Sequence, residues 1–140
     1  MPSSLKYADG NDMKLASIDV GLKRIGVAIC LNGSIVLPQN AILRQNRNQA
    51  AREVNTFLKE WEIEKLIVGL PLDADNSEEM ERRIKHFVSL LELTISIVYQ
   101  DEQHSSVEAK ELSMGVFKHK KDGKIDSIAA KIILERYLSI

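Results

Sequence analysis

The apolar residues of this chain open in strand-like runs and then alternate between helical and strand spacing, and that pattern restricts the fold more than any other feature. Up to Leu37 they form short strand-like runs, Lys14–Val20, Ile25–Leu31 and Ser34–Leu37. Asn32-Gly33, between the second and third runs, is the pair that favours a type I′ hairpin turn, and Pro38 is expected to stop the third strand. Beyond this point the spacing becomes helical. Ala50, Val54, Phe57, Leu58 and Trp61 fall on one helix face, as do Met80, Ile84, Phe87, Val88 and Leu91 further on. Strand-like runs at Lys65–Gly69 and Ile95–Gln100 separate the helical segments. Asn76 with Glu79, and Ser105 with Glu108, form capping boxes that open helices, the second near Ser105–Met114. A final helix turns Ile125, Ile128, Ala129, Ile132 and Ile133 inward.

The resulting order is βββαβαβαα. Strands joined through helices run parallel and strands joined by tight turns run antiparallel, so one mixed five-stranded α/β sheet with helices on both faces is expected. Ligands of such sheets collect at the carboxyl ends of the strands, which here are the ends of the first, fourth and fifth.

With 140 residues, 44% apolar and 28% charged, there is material for one core. The domain is expected over 13–140, and the polar, aperiodic residues 1–12 as a disordered extension or an expression remnant. The longest apolar stretches have seven residues, too short to cross a bilayer, and the amino terminus lacks the apolar core of a signal peptide. The single cysteine, Cys30, suits a reducing cytoplasm. Net charge is −1, but it is segregated: Val20–Arg52 holds five basic residues and no acid, and Lys118, Lys120, Lys121 and Lys124 cluster around one acid, Asp122. Such a distribution gives a neutral chain a positive face that attracts phosphates, or merely a solvated surface.

Acids at three places stand out against this map. Asp19 closes an otherwise apolar strand, where an acid is costly without a partner, and Gly21 follows it. Asp101-Glu102 lies at the end of the fifth strand, and Asp126 at the start of the last helix. Alone, Asp126 is equally a helix cap and the Asp101-Glu102 pair a turn. Together they form a hard-oxygen set suited to Mg²⁺ or Mn²⁺.

Asp19-Val-Gly-Leu-Lys-Arg-Ile-Gly-Val-Ala, Gly69-Leu-Pro-Leu, Asp101-Glu102 and Asp126-Ser-Ile-Ala-Ala resemble, in order and spacing, the motifs of the YqgF/RuvX family over essentially Met13–Ile140. The resemblance implies a ribonuclease H-like fold and a nuclease. The family was first described as Holliday junction resolvases and is now linked to processing the 5′ end of pre-16S ribosomal RNA. It places the acidic triad on Asp19, Glu102 and Asp126, holding divalent ions that activate water and stabilise the leaving oxygen. Nucleic-acid contacts fall on Lys23, Arg24, Gly69, Ser105, Ser106, Lys118, Lys120 and Lys121. One departure is visible: the family's arginine after the Asp-Glu pair is Gln103 here, so a phosphate contact is expected to be either weaker or supplied by Lys23, Arg24 or the Lys118–Lys124 loop.

The expected partners are precursor rRNA and possible ribosomal assembly particles, with branched DNA as the alternative and no membrane; the chain is expected to be a monomer or a homodimer. A junction resolvase would need two copies, and a non-catalytic assembly factor would not need the triad. Actin-like phosphotransferases also use Asp-x-Gly, but they require a second domain. His86, on an exposed helix face, and Trp61, at core spacing, are read as inert and as core respectively. His104 and His119 carry only weak alternative readings.

Overall fold

The computed structural model describes residues 13–71, 77–92, 94–101 and 125–140. The elements are β1 (Leu15–Val20), β2 (Arg24–Cys30), β3 (Leu37–Leu43), α1 (Arg47–Glu60), β4 (Lys65–Leu70), α2 (Ser77–Ser89), β5 (Ser96–Asp101), a 3₁₀ turn (Ile125–Ser127) and α3 (Ile128–Leu138). The strands form one sheet in the order β3-β2-β1-β4-β5. β1 pairs antiparallel with β2 and parallel with β4, β3 pairs antiparallel with β2, and β5 parallel with β4. This is the mixed sheet expected from the change of period.

Alternation along β1 and β4 divides the core between the two faces. Ala16, Ile18, Val20, Leu66, Val68 and Leu70 meet the buried sides of α1 and α2, including Val54, Leu58, Ile84 and Phe87. Leu15, Ala28, Cys30 and Ile67 meet Ala130, Ile133 and Leu134 of α3. Burying side chains of this size stabilises by roughly 1.5–3 kcal/mol each, which fixes α3 against the sheet centre.

Three local expectations are corrected. The third strand is Leu37–Leu43, not Ser34–Leu37, and Pro38 lies inside it, paired with Ala28. β3 is the sheet edge, where a residue without an N–H is tolerated. Asn32-Gly33 does not form a type I′ turn, because only Gly33 has positive φ. Instead the Asn32 side chain accepts from the Ser34 and Ile35 N–H groups at 3.0 Å each, organising a longer loop. Trp61 and Met80, expected in the core, are each 37% exposed, because they lie at the ends of their apolar faces.

The capping box of α2, the helix near Ser105–Met114 and residues 1–12 lie outside the described residues. Among the described residues no helix is long and apolar enough to cross a membrane.

Candidate functional site

Asp19 is the penultimate residue of the central strand, and the β1–β2 register places it opposite Gly26. It shares its face with Leu15 and Ser17, the side covered by α3. The same face of β2 receives the 3₁₀ turn before α3. A Cβ built on Gly26 would lie 2.5 Å from the Asp126 carbonyl oxygen and 3.3 Å from Ser127 Cα. Only glycine at 26 lets the turn lie directly on β2, and that contact brings the backbone of Asp126 to the strand residue facing Asp19.

Two buried serines hold the turn there. The Ser17 hydroxyl donates to the Ala130 carbonyl at 2.6 Å, and the Ser127 hydroxyl accepts from the Val27 N–H at 2.9 Å. The β2–β3 register breaks between Ile25 and Val27, at the place where Ser127 supplies this acceptor. Both serines are fully buried, so each hydrogen bond also satisfies a group that would otherwise be costly.

Arg24 Nε lies 3.3 Å from Asp126 Oδ2. Both side chains are about half exposed, so this ion pair contributes little to stability, but it shows the carboxylate already collecting a positive charge. Asp19 and the backbone of Asp126 thus meet on the α3 side of the sheet near the end of β1, and carboxylate oxygens are the donor type a divalent cation takes. Among the described residues no group of three or more potential ligands forms. The expected third ligand, Glu102, lies outside them. Its neighbour Asp101 pairs with Leu70, which belongs to the core under α1 and α2. Asp101 therefore shares the face opposite Asp19.

Gly69 follows Val68, the partner of Ile18, and alternation puts it on the Asp19 side beside Ile67. Lys23 is exposed in the β1–β2 turn, where its carbonyl accepts from Arg44 N–H at 2.8 Å. Ser105, Ser106, Lys118, Lys120, Lys121, His104 and His119 lie outside the described residues. Sequence reasoning missed Ser17, Gly26 and Ser127. Ser17 stands two residues before Asp19 and so on its face, and a glycine inside a strand signals close backbone approach.

Sheet order, helix placement and the acid of the central strand define a ribonuclease H-like protein. The crystal structure of the fowlpox virus Holliday junction resolvase has this fold, with a TM-score of 0.54, 14% identity and coverage of 91% of this chain and 99% of that one. Residues 13–140 match the RuvX family model, described as Holliday junction resolvase, and the chain belongs to that family. A relative from Sulfurovum sp. (strain NBC37-1), named "Putative pre-16S rRNA nuclease", is 77% identical over 91% of this chain and 100% of its own length. One of the same name from Campylobacter lari is 48% identical over 91% of this chain and 99% of its own.

Proposed function

We propose that this chain is a divalent-metal-dependent nuclease that hydrolyses a phosphodiester bond at the 5′ end of pre-16S rRNA, with Asp19, Glu102 and Asp126 as ligands for Mg²⁺ or Mn²⁺. The observation that carries this reading is the seating of Asp126 on Gly26, opposite Asp19, near the carboxyl end of the central strand. The RNA substrate is supported by the name shared by the relatives at 77% and 48% identity.

When bound, the cation would activate water and neutralise charge developing on the phosphate oxygens. The residues of the chain supply the rest. Asp19 is fixed by the rigid sheet centre, and Asp126 by the Ser127 and Ser17 hydrogen bonds. Lys23 and Arg24, at the turn after β1, offer positive charge to the backbone on either side of the scissile bond. Ser105, Ser106, Lys118, Lys120 and Lys121 extend this contact in the proposal. Cytoplasmic assembly particles are the partners consistent with it.

The family model's description, Holliday junction resolvase, is the ground for one second reading, cleavage of four-way DNA junctions. Cleavage assays with a pre-16S leader, a four-way junction and plain duplexes, with and without Mg²⁺ or Mn²⁺, separate the two. The expected result is metal-dependent cutting of the leader. Cutting of the junction with the leader left intact overturns the RNA reading, and cutting unaffected by loss of Asp19 overturns the ligand set.

A further inference from the structure

A cleft of about 450 Å³ opens where the β1–β2 turn meets the first turn of α1 and the exposed side of α2. Arg44, Arg47, Arg82 and Arg83 line it together with His86, and among the described residues lining it none is acidic. These cations come from two segments far apart in sequence, 44–47 and 82–86, so the fold has gathered them. Arg44 is anchored, donating from Nη1 to the Gly21 carbonyl at 2.9 Å and lying 5.4 Å over the Phe87 ring. Burial, followed by the charge of Arg47, pulls its pKa below the ordinary arginine value. Arg47 Nη1 lies 3.3 Å from His86 Nδ1, and Arg83 has Glu79 at 2.6 Å.

Arg47 is also the first residue of α1, whose first turn contains no acid. The positive end of the helix dipole therefore adds to the arginine charge rather than offsetting it. Like charges assembled in this way cost folding free energy, which a polyanion would recover. Leu22, 71% exposed, and Met80 bring apolar surface to the same cleft. Apolar contact beside guanidinium groups matches a nucleotide, with a base or sugar next to its phosphate, better than a lone inorganic anion. The volume suits one ligand-sized unit. Gly21, part of the lining, lies two residues beyond Asp19, so the cleft, on the α1 and α2 side of the sheet, meets the Asp19 side at the carboxyl end of β1.

We infer that this cleft holds the phosphodiester backbone of a single strand running on from the scissile bond. The inference rests on the nuclease reading for what enters the site, and on the arginine cluster alone for where the strand goes.

Binding is measured in the Asp19→Asn background, so that no substrate is cut, using a fluorescent RNA hairpin with and without a single-stranded tail. The intact cleft should bind the tailed hairpin more tightly, with a steeper salt dependence. Arg47→Ala with Arg82→Ala, both at exposed positions, should erase most of the gain from the tail. Losing two phosphate contacts should flatten the log–log salt slope by about 1.4, at roughly 0.7 per contact on a single strand. Lys14→Ala with Lys59→Ala removes the same charge at the opposite end of the sheet and should leave the gain intact.

An unchanged gain in the arginine variant overturns the inference, as does an equal loss in the lysine control or equally tight binding of a mononucleotide. The two readings fail separately. A parent chain that cuts the leader while the arginine variant keeps the tail effect removes only the cleft. A parent chain that cuts nothing while the tail effect depends on the arginines removes only the nuclease reading.

Discussion

Gly26 and Asp126 are in contact that no side chain at 26 could permit, since a Cβ there would lie 2.5 Å from the Asp126 carbonyl oxygen. The obstacle is backbone, so it cannot rotate away. Gly26→Ala should therefore push the 3₁₀ turn off β2 and cost about 1–3 kcal/mol, the usual range for overpacking a filled site. Because the displaced residue is a proposed ligand, the Mg²⁺ concentration needed for half-maximal cleavage should also rise. Urea denaturation and a metal titration of cleavage check both. A variant with the wild-type metal requirement would show that Asp126 is not positioned through this contact.

Asp19→Asn should abolish cleavage while leaving the fold largely intact. The substitution keeps side-chain volume and removes one negative charge from the face on which a cation is proposed to bind. Circular dichroism reports the fold, and cleavage of a pre-16S leader in Mg²⁺ reports activity. Near-normal turnover by a folded Asp19→Asn protein would sink the assignment.

The register fixes the face that Asp101 takes. Asp101 pairs with Leu70 and so takes the face under α1 and α2, away from Asp19. Asp101→Asn should cost stability or a modest fraction of the rate. Glu102→Gln should suppress cleavage by several orders of magnitude and weaken metal binding. Rates of both variants across a range of Mg²⁺ concentrations decide it, and an inactive Asp101→Asn would move the second ligand by one residue.

Much of this architecture was legible because the two hydrophobic periods are distinct. The runs containing Ile18, Val27, Val68 and Val98 have strand length and strand-like composition, and the sets around Val54, Ile84 and Ile133 repeat at helical spacing. The boundaries of β3 were not legible, because Pro38 reads as a stop unless the strand is already known to be an edge. Trp61 and Met80 have core spacing, but periodicity does not say where the opposing surface ends. Asp19 was visible as an acid in an apolar strand. Its support was not, since Ser127 reaches Val27 across 100 residues of sequence. The basic run between Val20 and Arg52 gave half of the arginine cleft, while Arg82 and Arg83 come from a helix that folding alone brings beside it.

Lys118, Lys120 and Lys121 should supply affinity rather than chemistry. Replacing Lys118, Lys120 and Lys121 by alanine should weaken RNA binding and flatten its salt dependence by about 0.7–0.9 per lost phosphate contact. Fluorescence titrations over a range of salt concentrations, compared with single-turnover rates at saturating RNA, provide the check. A fixed slope with a reduced saturated rate would place these lysines in the reactive centre instead.

Arg24 should oppose metal binding while assisting RNA binding. Its guanidinium lies 3.3 Å from Asp126 Oδ2, so a cation arriving at that carboxylate competes with a positive charge already there. The pair is about half exposed and screened, which limits the effect to the range of a surface ion pair, up to about 1 kcal/mol or roughly fivefold in affinity. Arg24→Gln should accordingly tighten Mn²⁺ binding by up to about that factor. Once a metal holds Asp126, the wild-type arginine is released toward the phosphate backbone, so the same variant should bind RNA more weakly in the presence of metal. Calorimetric titration with Mn²⁺ alone measures the first effect, and RNA binding in the Asp19→Asn background with and without Arg24 measures the second. Weaker Mn²⁺ binding in Arg24→Gln would mean that the guanidinium orders Asp126 for the metal rather than competing with it.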